Sequence, residues 1–256
     1  MSTHLEAVNA RFDPRAQAYL SSSVHSAGPD LQCARELLSG LATRPALALD
    51  LGTGAGHLAY AMAEVAGTVI AFDASESMLE VVARTASERG LRHLKTQCGD
   101  VQSLPFADSS FDLVATRYSA HHWIDLEKAM AELRRVLRPG GHVLVIDLEG
   151  QEQALVDTHL QCIELLRDTS HVRNRSRTQW RALLQGIGVE CMHEQHWPTR
   201  LQFDTWVQRM RTPETMVRAI RELMQGAPLE VREALRVEPD GSFTPSTGLW
   251  WGRRPA

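Results

Sequence analysis

The sequence predicts an α/β protein in which helices cover both faces of a doubly wound, largely parallel sheet. Between residues 46 and 149, short apolar runs alternate with amphipathic stretches of helical length. Such alternation is typical of strand–helix–strand units, which form parallel sheets with right-handed crossovers. Apolar residues make up 43% of the chain and charged residues 23%, which are ordinary values for a globular protein.

The elements of this core are predicted in order from its apolar runs and helix-ending residues. The strands are ALALDL, GTVIAFD, LRHLKTQ, FDLVATR and HVLVIDL. One helix is expected in AGHLAYAMAEVA, a second from Ser75 to Gly90 with Ser75 as its N-cap, and a third from about Leu126 to Leu137. The third helix ends before RPGG, because proline and glycine break helices.

The flanking segments are predicted to be mainly helical. Helices are expected in residues 1–44, 152–188 and 203–237, and strands in VECMHEQHW and SFTPSTGLWWGRR. Trp250 and Trp251 are expected to pack at a strand edge.

Charge and composition exclude several classes of partner. With a net charge of −4, the chain lacks the basic surface that a polyanion requires, so no nucleic-acid partner is expected. No run approaches the roughly 18 apolar residues of a membrane span, and the first residues lack the features of a signal peptide. The four cysteines form no CxxC pair and CMHEQH lacks a fourth ligand, so we predict no metal site. A cytoplasmic location is expected.

A glycine-rich turn in LALDLGTGAGH indicates close approach of the backbone to a ligand. A dinucleotide, a nucleoside triphosphate and S-adenosylmethionine are the candidates. His57 occupies the position of the last glycine in the dinucleotide pattern GxGxxG, and no GK[ST] follows as in a P-loop. Asp50 would repel a pyrophosphate but attract the ammonium and sulfonium groups of S-adenosylmethionine. The residues therefore favour S-adenosylmethionine.

Acidic residues also follow the next two strands. Asp73 ends the second strand, where a carboxylate can accept hydrogen bonds from both hydroxyls of a ribose. Dinucleotide sites use the same contact, so Asp73 indicates an adenosine-type ligand without distinguishing which one. Asp100 follows the third strand and can accept the adenine amino group, whereas on its own it would indicate a turn.

Four motifs in order resemble the class I S-adenosylmethionine-dependent methyltransferases. They are DLGTGAGH, AFDASESML, CGDVQSLPFADSSFDLV and ELRRVLRPGGHVLVID, within residues 45–149. The chain is similar to the small-molecule branch that includes the quinone-biosynthesis C-methyltransferases, and RYSAHHWIDLEKA and LLRDTSHVRNRS resemble a bacterial subgroup of it. The resemblance implies a Rossmann-like, seven-stranded sheet whose last strand is antiparallel and lies beside the fifth, with helical cover elements.

The resemblance also implies that three segments of one structural domain have different roles. Residues 1–44 would form a helical lid segment, residues 45–149 the S-adenosylmethionine-binding core, and residues 150–256 the helices and last strands that cover a methyl acceptor. The implied cofactor is S-adenosyl-L-methionine, which leaves as S-adenosyl-L-homocysteine. The predicted cofactor-binding residues are Asp50, Gly52, Thr53, Gly54, Asp73, Ala74, Met78, Asp100, Val101, Arg117, Tyr19 and His25. For Arg117, a structural ion pair is an equal alternative.

Methyl transfer to a small-molecule acceptor is the function that these features predict. The protein must align the acceptor with the methyl group and exclude water, and a general base helps only if the acceptor carries its proton at neutral pH. His121 and His122 follow the fourth strand and are the candidate catalytic residues; alternatively, they cap or orient the next helix, with Trp123 in the core. Rival functions are non-methyl chemistry with the same cofactor and a catalytically silent sensor or scaffold. A monomer or a homodimer is expected.

Overall fold

A seven-stranded sheet forms the centre of the protein in a computed structural model, which describes residues 3–12 and 28–256. The strands are β1 (Leu47–Leu51), β2 (Thr68–Asp73), β3 (Leu94–Cys98), β4 (Phe111–Arg117), β5 (Leu137–Leu148), β6 (Glu190–Pro198) and β7 (Ser246–Arg253). The helices are α1 (His4–Phe12), α2 (Pro29–Ser39), α3 (His57–Ala63), α4 (Glu76–Glu88), α5 (Leu126–Val136), α6 (Ala154–Arg167), α7 (Arg177–Gly186), α8 (Phe203–Arg209), α9 (Glu214–Gln225) and α10 (Leu229–Ala234). No helix in these two ranges has the length and apolar character needed to cross a membrane.

The strand order is β3-β2-β1-β4-β5-β7-β6. Strands β1 to β5 are parallel, and β7 runs antiparallel to both β5 and β6. This arrangement confirms the predicted fold class, including the antiparallel last strand beside the fifth. The chain leaves β1 towards β2 on one side and returns to β4 on the other. Ligands of open α/β sheets bind in the crevice that such a reversal opens at the strand carboxyl ends.

Helices cover both faces of the sheet, which explains why its central strands are apolar along their whole length. On one face, α2, α3 and α4 pack around residues such as Leu58 and Val82. On the other face, α5 and α7 pack around residues such as Leu133 and Trp180. A third apolar cluster joins α6 to α8, α9 and α10, so the segment after β5 has a core of its own.

Two sequence predictions differ from the structure. The helix in AGHLAYAMAEVA ends at Ala63, earlier than predicted, and its residues Leu58 to Ala63 are all buried because α2 packs against it. Trp250 and Trp251 are buried in the interior of the sheet, since β7 lies between β5 and β6, so the predicted strand-edge packing is wrong. By contrast, Ser75 caps α4 as predicted, with Oγ accepting the Met78 N–H at 3.1 Å.

Candidate active site

The glycine turn joins β1 to α3 at the strand reversal. Gly52 and Gly54 both have positive φ, at 64° and 51°. A Cβ atom on Gly52 would lie 1.8 Å from Oγ of Ser119, so this glycine is needed for packing against the segment after β4. A Cβ atom on Gly54 would meet nothing within 4 Å. The backbone at Gly54 is therefore the part of the turn that a ligand can approach.

The turn opens into a space that we call the glycine cleft, whose two adjoining lobes have volumes of about 840 and 530 Å³. All the predicted cofactor residues that the structure describes line this cleft: Asp50, Gly52, Thr53, Gly54, Asp73, Ala74, Met78, Asp100, Val101 and Arg117. Helix α1 adds Val8 and Phe12 to its wall. Tyr19 and His25 lie outside the described residues, so their roles stay predictions.

Two carboxylates hold the edges of the glycine cleft through backbone contacts. Asp73 accepts the Gly54 N–H at 2.8 Å and the Ser75 N–H at 3.0 Å, which ties the glycine turn to the end of β2. Asp100 accepts the Gln102 N–H at 2.9 Å. Asp100 thus has the turn role that its type suggests and also lines the cleft.

Asp50 is a buried carboxylate at the end of β1. Its pKa is raised to about 7, chiefly by burial and also by the nearby Asp73, against the lowering effect of the Thr53 hydroxyl, which donates to Oδ2 at 2.7 Å. Ionised Asp50 is costly without a positive partner, so a cation in the cleft would favour the ionised form. This electrostatic setting fits a cationic ligand better than a phosphate.

Arg117 forms the structural ion pair that the sequence left open as an alternative, and its role towards the cofactor stays a prediction. It lines the glycine cleft, and its Nε donates to Oδ2 of Asp30 at 2.6 Å. Both side chains are only 5% exposed, so this is a buried ion pair between β4 and α2. Sequence reasoning missed Asp30, because an acid in the first turn of a helix is ordinary helix chemistry.

A second space of about 680 Å³, which we call the histidine cavity, adjoins the glycine cleft. Phe12, Tyr118 and His122 line both spaces. The other residues around the histidine cavity are His121, Leu148, Glu164, Arg167, Asp168, Asn174, Thr199, Leu201, Trp206 and Arg209. The segment after β5 therefore covers this cavity, while the glycine turn lies in the neighbouring cleft.

His121 is paired with a buried carboxylate at the end of β5. Its Nδ1 donates to Oδ1 of Asp147 at 2.6 Å, which leaves the lone pair on Nε2. Burial alone would lower the pKa of His121, but the charges of Asp147, Glu164 and Asp168 outweigh it and raise the pKa. Helix α5 is capped by Asp125, so neither histidine acts as its cap.

His122 and His171 complete a cluster of three histidine rings. The ring centroids of His122 and His171 lie 4.2 and 5.8 Å from that of His121. Nδ1 of His122 donates to the Ser170 carbonyl at 3.0 Å, and Nε2 of His171 donates to Oε1 of Gln161 at 2.8 Å. Burial and the neighbouring charge of His121 lower the pKa of His122, and the same causes lower that of His171 to about 2. Two of the three rings are therefore neutral at physiological pH.

The buried neutral His171 predicts a specific pH dependence of stability. Its pKa is below the ordinary value of about 6.5, so between pH 6.5 and 2 the unfolded chain binds a proton that the native state does not. Stability from this residue is present above pH 6.5 and falls by about 2 kcal/mol by pH 5. Urea unfolding at pH 7 and pH 5 measures this. Between pH 7 and pH 5, the free energy of unfolding of the His171→Gln variant should fall by about 2 kcal/mol less than that of the wild type. Equal falls would contradict a neutral, buried His171.

Sequence reasoning missed His171 and two residues close to the histidine cluster, Asp147 and Tyr118. Asp147 ends β5 within HVLVIDL, and the rule that drew attention to Asp50 and Asp73 at their strand ends would have found it. Tyr118 follows Arg117 with a positive φ of 50°, and its hydroxyl bonds Oγ1 of Thr247 at 3.1 Å. No sequence pattern signals that conformation, because it depends on β7.

Comparison with known proteins agrees with the fold and with the predicted family. Residues 49–145 match the family described as a methyltransferase domain. The uncharacterized protein YafE of Escherichia coli is 43% identical over 195 residues, which span 75% of this chain and 93% of YafE. The crystal structure of YcgJ from Bacillus subtilis has a TM-score of 0.83 and 32% identity, and the match covers 89% of this chain and 98% of YcgJ. Demethylmenaquinone methyltransferase of Thermus thermophilus is 38% identical over 48% of this chain and 56% of that enzyme.

The chain belongs to this methyltransferase-domain family. That assignment confirms the predicted enzyme class, an S-adenosylmethionine-dependent methyltransferase, and with it the cofactor. The glycine cleft fits this cofactor on its own geometry. The open backbone at Gly54 admits a ligand, and the aspartates that line the cleft suit its ammonium and sulfonium groups.

Proposed function

We propose that this enzyme transfers a methyl group to a small-molecule acceptor bound in the histidine cavity, with His121 as the general base. The observation that carries the proposal is that the histidine cavity adjoins the glycine cleft, with His121 paired to Asp147 in its wall. The wall of the cavity combines aromatic rings with a small number of polar groups, as small-molecule sites typically do. The net charge of −4 supports a small acceptor over a nucleic acid.

The residues of the cleft would hold the cofactor by contacts suited to its parts. Asp73 would accept hydrogen bonds from the ribose hydroxyls, and Asp100 with the Val101 N–H would bind the adenine edge. Asp50 and Gly54 would line the methionine portion. Bound S-adenosylmethionine supplies the methyl group as an activated sulfonium electrophile. Phe12 and Tyr118, which line both spaces, exclude water between cofactor and acceptor.

His121 is the better of the two candidate bases. As the acceptor atom forms its bond to the methyl group, the proton on that atom would pass to Nε2 of His121. Asp147 would stabilise the resulting imidazolium. His122 has a lowered pKa and is correspondingly a weaker base. We therefore assign His122 to the boundary between the two spaces.

Loss of the charge of Asp73 is expected to weaken cofactor binding about 10²-fold, because hydrogen bonds to a charged group contribute about 1.5–3 kcal/mol each. Calorimetry with S-adenosylhomocysteine on the wild type and Asp73→Asn measures this. Asp204→Asn, an exposed aspartate of α8, is the matched control. Equal affinities of the wild type and Asp73→Asn would contradict the assigned contact.

The acceptor class is tested by following the methyl group itself. The enzyme is incubated with S-adenosylmethionine carrying a tritiated methyl group and a cell extract separated by size. We expect label in the low-molecular-weight fraction. Label in the protein or nucleic-acid fraction would contradict a small acceptor, and cofactor binding without any transfer would favour a sensor.

A further inference from the structure

Asn174 is a residue of the histidine-cavity wall whose buried carboxamide is unpaired. It lies in the loop between α6 and α7 and is 1% exposed. Neither Oδ1 nor Nδ2 has a hydrogen-bond partner among the described residues. Buried polar side chains are almost always paired, and leaving both ends of an amide unpaired costs folding free energy. An orphaned amide in a cavity wall therefore points to a ligand as its partner.

The backbone of Asn174 is held firmly in this position. Gln161 of α6 donates through Nε2 to the Asn174 carbonyl at 2.9 Å and accepts the Asn174 N–H through Oε1 at 3.0 Å. Gly150 packs against the same carbonyl, since a Cβ atom there would lie 2.6 Å from it. These contacts fix the backbone of Asn174 on two sides, so the loop cannot easily shift to pair the side-chain amide elsewhere.

The other polar groups around the cavity are engaged with one another. Arg167 donates to the Trp206 carbonyl at 3.0 Å, contacts Glu164 at 3.5 Å and lies over the Trp206 ring. Asp168 accepts the hydroxyl and the N–H of Ser170 at 2.7 and 3.0 Å. With Arg209, the wall holds two basic residues, Arg167 and Arg209, and two acidic residues, Glu164 and Asp168. A ligand with a net charge would have to displace these contacts, whereas a neutral ligand would not.

Aromatic rings supply the remaining wall of the cavity. Phe12, Tyr118 and Trp206 all line it, and planar rings stack favourably against such surfaces. A carboxamide offers a donor and an acceptor side by side, so its natural partner carries an acceptor and a donor on neighbouring atoms.

We infer that Asn174 recognises the methyl acceptor, and that this acceptor is an uncharged aromatic molecule with a hydrogen-bond donor and acceptor on neighbouring positions, as in a lactam, a carboxamide or a catechol. The inference rests on the proposed function, because it takes the histidine cavity as the acceptor site. It adds the chemical class of the acceptor and the residue that selects it. Pairing of both amide atoms with such a ligand removes the only unpaired buried side-chain groups among the described residues around this cavity.

The test compares wild type with Asn174→Leu, which keeps the side-chain size and removes both polar groups. Three probes carry the donor–acceptor pair: 2-pyridone, benzamide and catechol. Their controls, N-methyl-2-pyridone, N,N-dimethylbenzamide and 1,2-dimethoxybenzene, lack the donor. Titrations are made with S-adenosylhomocysteine present. The asparagines of the chain are Asn9 and Asn174, so selective ¹⁵N-asparagine labelling gives two side-chain amide signals, of which Asn174→Leu identifies one.

We expect at least one probe to bind saturably and to shift the Asn174 side-chain signal, with its control binding about 10-fold more weakly. In Asn174→Leu this preference should disappear. The variant should also melt at a temperature equal to or above that of the ligand-free wild type, because it removes unpaired buried groups. Absence of binding by every probe, equal preference in the variant, or a melting temperature several degrees lower would each overturn the inference.

These outcomes are independent of the outcome for methyl transfer. Probe binding through Asn174 without any methylation of small molecules would contradict the proposed function and leave the recognition role intact. Methylation of a small molecule with unchanged kcat and KM in Asn174→Leu would contradict the recognition role alone.

Discussion

Replacing Asp147 with asparagine is expected to lower kcat for methyl transfer by about 10²–10⁴-fold, the range that positioned acid–base groups contribute. The carboxylate holds the Nδ1 proton of His121 at 2.6 Å and also accepts the His121 N–H at 3.2 Å. An asparagine amide can present an N–H to Nδ1 instead, which would place the ring proton on Nε2. That tautomer cannot accept a proton from the acceptor.

The same change shifts the pH dependence of the reaction in a defined direction. His121 must be neutral to act as a base, so activity rises as pH increases through its raised pKa. Without the charge of Asp147, burial dominates and the pKa of His121 falls. The rising limb of the kcat profile should therefore move to lower pH. NMR titration of ¹⁵N-labelled histidine measures the same fall without requiring an acceptor.

The control is Asp112→Asn, which removes a buried carboxylate at the opposite end of β4. Asp112 accepts the Leu47 N–H at 2.9 Å and pairs with Arg138, away from both the glycine cleft and the histidine cavity. This variant should lose stability and keep kcat. An Asp147→Asn enzyme with wild-type kcat and an unshifted His121 titration would rule out His121 as the base.

The fold was largely predictable because its core is built from local patterns. Of the first five strands, all except β3 contain an apolar run and are followed by a helix-forming segment, so strand and helix type follow there from the sequence alone. The position of β7 between β5 and β6 does not follow from local patterns, because it depends on pairing between β5 and β7 residues about 100 positions apart. Resemblance supplied that placement, whereas the pattern around Trp250 alone suggested a strand edge.

The two halves of the candidate site differ in how far sequence reasoning reaches. The glycine cleft is formed where β1, β2 and β3 end, so a residue's position after a strand is enough to place Asp50, Asp73 and Asp100 together. The histidine cavity is completed by the loop and helices after β5. Its residues, such as Glu164 and Asn174, meet His121 only through the packing of α6 on later helices, which no periodicity encodes. The proposed acceptor site is therefore the part of this enzyme that the sequence alone does not place.

Removing the carboxylate of Asp30 is expected to lower the free energy of unfolding by about 3–5 kcal/mol. The Asp30–Arg117 pair is buried, and loss of one partner leaves a charge in the interior without compensation. Urea unfolding of Asp30→Asn measures the loss. The matched control is Asp108→Asn, which breaks the largely exposed pair with Arg135 and should cost no more than about 1 kcal/mol. A loss in Asp30→Asn as small as in the control would contradict the account of the buried pair.

The double variant Asp30→Leu, Arg117→Met separates the two roles of this pair. Replacing both charges by apolar side chains of similar size removes the uncompensated charge, so most of the lost stability should return. If Arg117 also serves the cofactor, affinity for S-adenosylhomocysteine should remain low in this stable protein, about 10-fold or more below the wild type. Recovery of both stability and affinity would mean that Arg117 has only the structural role. Recovery of stability without recovery of affinity would mean that the buried pair serves to position Arg117 beside Asp50 and the glycine turn.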